Sequence, residues 1–195
     1  DLALPSDFMV IIGGNAEDQQ EANFYLMIAF FVAAILVYMV MAAQFESFID
    51  PFIIMFTIPL SIIGVLGFLF ITNTPISVMA LVGVVMLVGI AVNNGIVLVD
   101  YINQLRDRGT SLYEAAEQSG VIRLRPVLMT ALTTIIGMVP LALEIGDGAE
   151  TWAPLARAVI GGLTMTTLLT LIVIPVIYIL FEEFGAKVKS WLFKA

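Results

Sequence analysis

Cysteine and histidine are both absent from the 195-residue sequence, and basic residues are scarce. Without cysteine, the chain has no disulfides, thiolate metal sites or cysteine nucleophiles. Without histidine, it lacks the usual catalytic base and the commonest protein ligand for metals. Eight Lys and Arg residues against 16 Asp and Glu residues give a net charge of −8. Such a chain has no basic face for phosphates, so we expect no nucleic-acid partner.

Charge of either sign is also rare, and its distribution indicates a membrane protein. Charged residues make up 12% of the chain and hydrophobic residues 61%, whereas soluble domains have about 25% charged and about 45–50% apolar residues. Four runs contain no charged residue, and they cover 22–45, 51–99, 126–143 and 158–181. A soluble globule cannot bury runs of this length and keep a polar surface. The composition therefore predicts an all-α polytopic membrane protein.

The charge-free runs predict five membrane spans. Each crossing needs about 20 apolar residues, and the 51–99 run would form a helix of about 74 Å, which exceeds a hydrocarbon core of about 30 Å. The run must therefore fold back, and Thr72-Asn73-Thr74-Pro75 is its only turn-like interruption. The predicted spans are 24–43, 52–71, 76–100, 126–143 and 155–181.

The basic residues predict the orientation of the five spans. Seven of the eight lie either in the connection between the third and fourth spans or in the tail 182–195, and Arg157 is the exception. Both regions fall on one side of a five-span bundle, which the positive-inside rule places in the cytoplasm. We therefore expect a cytoplasmic C-terminus and an extracytoplasmic N-terminal segment, residues 1–22.

Three shorter elements are predicted outside the spans. Residues 8–12 form an apolar run that ends at a Gly-Gly turn, which predicts a short extracytoplasmic strand. Residues 111–121 predict a short cytoplasmic helix, which its first residue, a serine, caps. The tail 182–195 carries apolar residues on one helical face and lysines elsewhere, a pattern typical of a segment that lies along the lipid headgroups.

The third predicted span holds the most unusual residues for a membrane interior. Asn93 and Asn94 lie near its centre, and Asp100 lies at its cytoplasmic end. Unpartnered polar groups are costly in hydrocarbon, so intramembrane polar residues indicate sites of function. Two interpretations stay open for the asparagine pair, a polar relay between helices or simple interhelical hydrogen bonding. Asp100 is interpreted as an interfacial residue and, secondarily, as a relay residue.

The fourth predicted span carries Thr130, Thr133 and Thr134 on one face. Their hydroxyls can bond to the backbone of their own helix, or reach the asparagine pair if the two spans pack together. Glycines in two other spans predict close helix packing. They are Gly64, Gly67, Gly161 and Gly162.

Enzymatic signatures are absent from the sequence. A zinc-protease H-E-x-x-H helix is impossible without histidine, and no G-x-x-x-x-G-K-[ST] phosphate loop occurs. No predicted span pairs a serine with a base or carries two aspartates suited to intramembrane proteolysis. We therefore expect a protein that is not an enzyme and has no bound cofactor or metal.

Several motifs occur in a recognisable order along the chain. Residues 88–101 read VGIAVNNGIVLVDY, and residues 123–130 read RLRPVLMT. Shorter motifs lie at 44–48, 58–60, 137–141 and 159–162. Together they closely resemble the C-terminal membrane half of resistance-nodulation-cell division (RND) efflux transporters, in the hydrophobe/amphiphile branch. The resemblance covers essentially the whole chain.

The resemblance implies that the chain is a piece of a longer protein. Such transporters have two similar six-span halves, each with a large extracytoplasmic insertion between its first two spans. The five predicted spans then match spans eight to twelve, about half of the twelve-span membrane domain. Residues 1–22 match the end of the second periplasmic domain. The C-terminal side is cytoplasmic in this arrangement, which agrees with the orientation predicted from charge.

The resemblance also implies partners and an energy source. Family members are homotrimers of the inner membrane that are driven by proton influx, and many work with a periplasmic adaptor and an outer-membrane channel. The expected partners are therefore the remainder of the same transporter chain, further copies of it, and the lipid bilayer. The proton gradient takes the place of a cofactor.

The resemblance assigns a coupling role to three residues. Asn93 matches a family lysine that pairs with two aspartates of the other membrane half, Asn94 is the next residue, and Thr130 matches a relay hydroxyl. Asn93 departs from the pattern, because an amide cannot neutralise an aspartate and can only hydrogen-bond to it. Asp100 and Thr134 are secondary candidates for the relay. We expect the asparagines to orient protonatable carboxylates that lie outside these 195 residues.

These inferences predict part of a proton-driven multidrug or amphiphile exporter, for which this chain supplies the C-terminal half of the coupling membrane domain. One alternative is an RND-like, non-transporting subunit of a membrane assembly or protein-export complex. Two others are a metal-cation RND exporter and a passive channel lined by Asn and Thr. Paired aspartates in a matching first half would favour transport over an assembly role or a pore.

Overall fold

The computed structural model describes the backbone of residues 14–192 and the side chains of residues 19–185 and 187. Within this part of the chain there are helices and turns but no strand, which confirms the predicted all-α class. The six helices are α1 (Gly14–Phe45), α2 (Ile49–Met55), α3 (Thr57–Ile71), α4 (Val78–Asp107), α5 (Leu112–Ala142) and α6 (Ala149–Leu192). The strand predicted at 8–12 lies outside the described residues.

Five segments of the described chain are long and apolar enough to cross a membrane, as predicted. The helices α1, α4, α5 and α6 each provide one, and α2 and α3 together provide the fifth, over Ile49–Ile71. The turn predicted at 72–75 separates α3 from α4. It places Asn73 in the left-handed region, with a φ of 49°, which asparagine adopts more readily than most residues.

Pro59 explains why the second span is divided into two helices. A proline has no N–H, and its ring meets the carbonyl of the residue four positions earlier, which here is Met55, the last residue of α2. At the break, a backbone N–H bonds to the Ile53 oxygen at 3.2 Å. The hydroxyl of Thr57 donates to the Ile54 oxygen at 2.8 Å. Carbonyl groups near the break therefore have partners, as a membrane interior requires.

The fourth span differs from the prediction in its length. The segment predicted as a short helix, 111–121, and the predicted span 126–143 form one continuous helix, α5, so the short helix is not a separate element. Ser111 caps it as predicted, because its hydroxyl accepts a hydrogen bond from the Glu114 N–H at 3.4 Å. The residues between the two predicted segments contain no stop signal, and Pro126 removes only one backbone hydrogen bond from the helix.

The first and last helices are also longer than predicted. The helix α1 begins at Gly14, so residues 14–22, predicted as a linker, are helical. The helix α6 continues from the predicted span 155–181 into the predicted tail 182–195 and ends at Leu192. Neither junction contains a proline, which would favour a stop. The apolar face predicted for the tail falls largely on side chains outside the described set.

The helix α6 lies at the centre of the bundle and packs against α3, α4 and α5. Glycines allow the closest approach, because a Cβ atom at Gly64 would lie 2.5 Å from the Gly161 oxygen and 3.1 Å from the Gly162 Cα. The predicted close packing is confirmed for these three glycines, whereas Gly67 faces open space. Among the described helices, α1 packs only on α2 and α4 and is the most exposed.

Candidate functional site

A cavity between α4, α5 and α6 brings together polar residues that the sequence analysis singled out. Its volume is about 160 Å³. It is lined by Ile90, Asn93, Asn94, Thr130, Ala131, Thr134 and Leu163. The spans that carry the asparagines and the threonines therefore do pack together, which was the condition for the hydroxyls to reach the amide pair.

The two asparagines face different surroundings. Asn94 is 7% exposed, and its Nδ2 has no hydrogen-bond partner among the described residues. Asn93 is exposed on the surface of the bundle and also borders a groove that reaches Gln44 of α1. Adjacent positions on a helix point about 100° apart, so one amide is buried while the other opens outward. An unpaired buried amide costs about 1–3 kcal/mol, and such a cost is typical of functional sites.

The threonine hydroxyls at the cavity donate to the backbone of their own helix. Thr130 Oγ1 donates to the Val127 oxygen at 3.0 Å, and Thr134 Oγ1 donates to the Thr130 oxygen at 3.0 Å. Thr133 donates to the Met129 oxygen at 2.8 Å and does not line the cavity. Each hydroxyl oxygen retains lone pairs that can accept. The cavity therefore offers amide donors and hydroxyl acceptors, and its lining carries no charge.

Asp100 lies apart from this cavity. Its Oδ2 accepts a hydrogen bond from Gln104 Nε2, one turn further along α4, at 2.8 Å. Seven positions separate it from Asn93, which corresponds to about 10 Å along the helix. The side chain is half-buried at the predicted cytoplasmic end of the span.

A layer of buried hydroxyls on α6 lies at the same depth as Asn94. Leu87 of α4 meets Gly162 of α6, and Asn103 of α4 bonds to Tyr178 of α6, 75 positions apart in both pairs. The two helices therefore run parallel, and Asn94 is level with the turn that contains residue 169. The buried hydroxyls of this turn without a partner among the described residues are Thr166, Thr167 and Thr170.

A second polar cluster, which the sequence analysis missed, joins α2, α4 and α6. Asp50 Oδ2 accepts a hydrogen bond from Asn103 Nδ2 at 3.0 Å, and Asn103 Oδ1 accepts one from the Tyr178 hydroxyl at 2.5 Å. Arg106 Nη1 donates to the Tyr178 oxygen at 3.3 Å and pairs with Glu182 at 2.9 Å. We call these five residues the Asp50 cluster. Its members are 53 or more positions apart across helices, so sequence spacing gave no sign of the contact.

Comparisons with known proteins agree with this architecture. The model of the AcrB/AcrD/AcrF family matches residues 1–182. The cobalt-zinc-cadmium resistance protein CzcA of Cupriavidus metallidurans is 41% identical over 175 residues, which cover 90% of this chain and 16% of CzcA. The multidrug resistance protein MdtC of Proteus mirabilis is 38% identical over 183 residues, which cover 93% of this chain and 18% of MdtC.

A solved structure has the same arrangement of helices. The crystal structure of a heavy metal efflux pump superposes with a TM-score of 0.79 at 34% identity, over 92% of this chain and 18% of that one. The chain thus spans less than a fifth of the length of these relatives. The chain belongs to the AcrB/AcrD/AcrF family of RND efflux transporters, as its motifs indicated, and members of this family are transporters rather than enzymes.

Proposed function

We propose that this chain supplies the C-terminal half of the proton-coupling membrane domain of an exporter, and that Asn93, Asn94 and Thr130 take part in coupling. The observation that carries the proposal is the uncharged polar cavity in which Asn94 Nδ2 has no partner among the described residues. A carboxyl group from another part of a longer chain would supply that partner. The proton gradient then serves as the energy source, with no bound cofactor.

The cavity suits both protonation states of a carboxyl group. An amide N–H donates to an ionised carboxylate, and a threonine oxygen accepts from the O–H of a protonated one. Because the cavity lining carries no charge, the proton itself is what neutralises a carboxylate placed there. Gain of a proton adds a donor to a group that otherwise only accepts, so its preferred partners change from the asparagines alone to an asparagine and a threonine. Such a change of partner links proton binding to the relative positions of α4 and α5.

The two asparagines have complementary positions for this role. Asn93 is the amide that a carboxylate outside the described chain reaches first, because it is exposed on the bundle surface. Asn94 is the buried amide at the inner wall of the same cavity. Thr134 lies one turn from Thr130 and extends the polar wall. Asp100 stays a secondary candidate, because it lies one to two turns from the cavity.

For the whole protein, we propose export of amphiphilic small molecules. The transporter would act in the inner membrane as a homotrimer with its C-terminus in the cytoplasm, together with a periplasmic adaptor and an outer-membrane channel. The resemblance of the motifs to the amphiphile branch and the 38% identity to a multidrug resistance protein support this substrate class. Among the described residues, no group of three or more His, Cys, Asp or Glu side chains is placed to hold a metal ion.

Export of metal cations is the second candidate function. The 41% identity to a cobalt-zinc-cadmium resistance protein and the likeness to a heavy metal efflux pump favour it. The two substrate classes differ in a direct assay. Full-length protein in proteoliposomes that contain the pH-sensitive dye pyranine is expected to carry protons inward when ethidium is added. A response to Zn²⁺ instead of ethidium would replace the amphiphile proposal with metal export.

Substitutions in the same assay test the coupling residues. Asn93→Ala, Asn94→Ala and Thr130→Val are each expected to lower substrate-dependent proton flux about ten-fold, the effect of one lost hydrogen bond to a charged group. Thr133→Val is the matched control, because Thr133 is on the same helix but does not line the cavity. If Asn93→Ala leaves proton-driven transport unchanged, Asn93 only hydrogen-bonds between helices and has no part in the relay.

A further inference from the structure

Asp50 is a buried carboxylate that the proposed coupling site does not use. It lies at the start of the second span, is 9% exposed, and its backbone N–H bonds to Ser47 Oγ at 3.4 Å. Among the described residues, its side chain accepts one hydrogen bond, from Asn103 Nδ2 at 3.0 Å. An ionised carboxylate can accept about four hydrogen bonds, so most of this capacity is unused. The nearby cation, Arg106, is engaged with Tyr178 and Glu182 instead.

The hydrogen bonds of the Asp50 cluster have a single possible direction. Arg106 can only donate, so the Tyr178 oxygen accepts and its hydroxyl hydrogen points to Asn103. Asn103 must then present its oxygen to Tyr178 and its amide hydrogens to Asp50. The chain therefore ends at a group that has to accept. Both forms of Asp50 meet this condition, because a protonated carboxyl retains an acceptor oxygen.

We propose that Asp50 is a second proton-binding residue of the transport cycle, which takes up and releases a proton at the predicted cytoplasmic end of the bundle. The inference rests on the proposed function, because it needs proton-driven transport. It adds to the Asn93 site a carboxyl group that belongs to this chain.

Proton uptake at Asp50 would change how firmly α2 is held to α4. Hydrogen bonds to an ionised acceptor are about twice as strong as those between neutral groups, so the bond from Asn103 weakens when Asp50 becomes neutral. Asn103 and Asn93 are on the same helix, ten positions or about 15 Å apart. The charge of Asp50 therefore affects the helix that carries the coupling asparagines.

Two charged residues lie near Asp50, and their effects on its ionisation oppose each other. From α4, the positive charge of Arg106 favours the ionised form of Asp50, and from α6, the negative charge of Glu182 opposes it. Tyr178 of α6 contacts Arg106 at 3.3 Å. Because Arg106 and Glu182 form an ion pair with each other, their effects on Asp50 largely offset. From α1, Tyr38 donates to a backbone oxygen at 3.1 Å, and α3 has no titratable residue. Burial, which disfavours charge, then opposes the single Asn103 hydrogen bond, which favours it.

The cluster also connects Asp50 with the surface. The side chains of Arg106 and Glu182 are 36% and 37% exposed, whereas Tyr178 is 1% exposed. Arg106 and the Asn103 amide nitrogen cannot accept a proton, so the cluster does not carry protons to Glu182; it orients Asn103 toward Asp50, and we expect the proton to reach the carboxyl group from solvent at this end of the span.

The test uses full-length protein in pyranine-loaded proteoliposomes, with ethidium and Zn²⁺ as probes, over a series of pH values at a constant pH difference. Asp50→Asn imposes the neutral form, Asp50→Glu restores a carboxyl group, and Tyr178→Phe breaks the chain but leaves Asp50. Glu46→Gln is the matched control, because Glu46 is an exposed acidic residue four positions from Asp50. Folding of each variant is checked by thermal unfolding in detergent.

For Asp50→Asn, the proton flux at the optimum pH is expected to be about ten-fold lower than in the unchanged protein. The flux of this variant should also no longer change with pH on one side of the optimum, which is one limb of the pH profile. Asp50→Glu restores that limb, Tyr178→Phe displaces it, and Glu46→Gln matches the unchanged protein. A folded Asp50→Asn variant whose profile matches Glu46→Gln overturns the inference and leaves the proposed function intact. If Asp50→Asn does not fold, Tyr178→Phe decides, since an undisplaced profile overturns the inference. Absence of proton flux with both probes in the unchanged protein overturns the proposed function and this inference with it.

Discussion

The guanidinium of Arg157, near the start of α6, donates a hydrogen bond to the Ala142 oxygen at the end of α5 at 3.0 Å. The same side chain donates to Thr74 Oγ1 at 3.0 Å and pairs with Glu144 at 2.7 Å. It thereby joins the ends of α3, α5 and α6 on the side of the bundle opposite the Asp50 cluster. The last carbonyls of a helix lack intrahelical partners and carry partial negative charge. These contacts explain the position of Arg157, which lies on the opposite side of the bundle from the other seven basic residues.

Replacement of Arg157 by methionine is expected to lower the free energy of unfolding by about 1–3 kcal/mol, because the Ala142 oxygen and Glu144 lose their charged donor. Lysine at this position should restore only part of the loss, since an ammonium group cannot form the same fork of hydrogen bonds. Thermal unfolding in detergent measures both. Arg108→Met removes an exposed positive charge at the other end of the bundle and is expected to change little. Equal losses of stability for Arg108→Met and Arg157→Met would contradict a stabilising role for the Arg157 hydrogen bonds.

Two glycines of similar sequence context should respond differently to alanine. At Gly161, a Cβ atom would lie 2.7 Å from the Gly64 oxygen, whereas at Gly67 it would meet nothing within 4 Å. Gly161→Ala is therefore expected to destabilise the bundle by about 1–3 kcal/mol through overpacking. Gly67→Ala is expected to have no such cost, and to stabilise α3 by up to about 1 kcal/mol through helix propensity. Equal melting temperatures for the two variants would show that α3 and α6 can separate freely.

The buried hydroxyls of α6 allow a third prediction. Thr170 is 1% exposed and its hydroxyl has no partner among the described residues, whereas Ser61 of α3 donates to the Ile58 oxygen at 2.6 Å. Thr170→Val removes an unpaired polar atom at nearly constant shape, so it is expected to raise the free energy of unfolding by about 1 kcal/mol. Ser61→Ala, the control, removes a satisfied hydroxyl and is expected to be neutral or slightly destabilising. A loss of stability in Thr170→Val would indicate that a water molecule binds this hydroxyl.

The number of spans and the turn between α3 and α4 were predictable, because both follow from local composition. Long uncharged runs can satisfy their backbone only by crossing the membrane as helices, and 72–75 is the only turn-like interruption of the longest run. The second span was predicted as one segment, 52–71, and Pro59 marks its division into α2 and α3. The continuity of α5 through Pro126 was not predicted, because a proline within a helix is tolerated or not according to the packing around it.

The candidate site was predictable to the extent that it lies on single helices. Asn93 and Asn94 were identified because two amides in an apolar run are conspicuous, whereas Thr130 was linked to them by the family resemblance and on the condition that the two spans pack together. The Asp50 cluster was not predicted, because it depends on contacts between residues more than 50 positions apart. Asp50 itself directly precedes the longest charge-free run, but position alone does not show whether a carboxylate is buried.

Asn94 and Asn103 of α4 should respond in opposite ways to replacement by leucine. Asn94 Nδ2 has no partner among the described residues, whereas Asn103 accepts from Tyr178 and donates to Asp50. Asn94→Leu removes an unpaired polar group and is expected to stabilise the fold by about 1 kcal/mol, while proton-driven transport falls.

Asn103→Leu leaves two polar partners without their hydrogen bonds, so it is expected to lower the free energy of unfolding by about 2 kcal/mol or more. Thermal unfolding and proton flux, measured on the same preparations, separate the two cases. If the Asn94 amide serves transport, Asn94→Leu lowers proton flux while its stability rises. The reason is that the protein keeps an unpaired amide for a partner that binds during the transport cycle. If Asn94→Leu lowers stability as much as Asn103→Leu, Asn94 instead bonds permanently to a structural partner, and the cavity has no free amide for coupling.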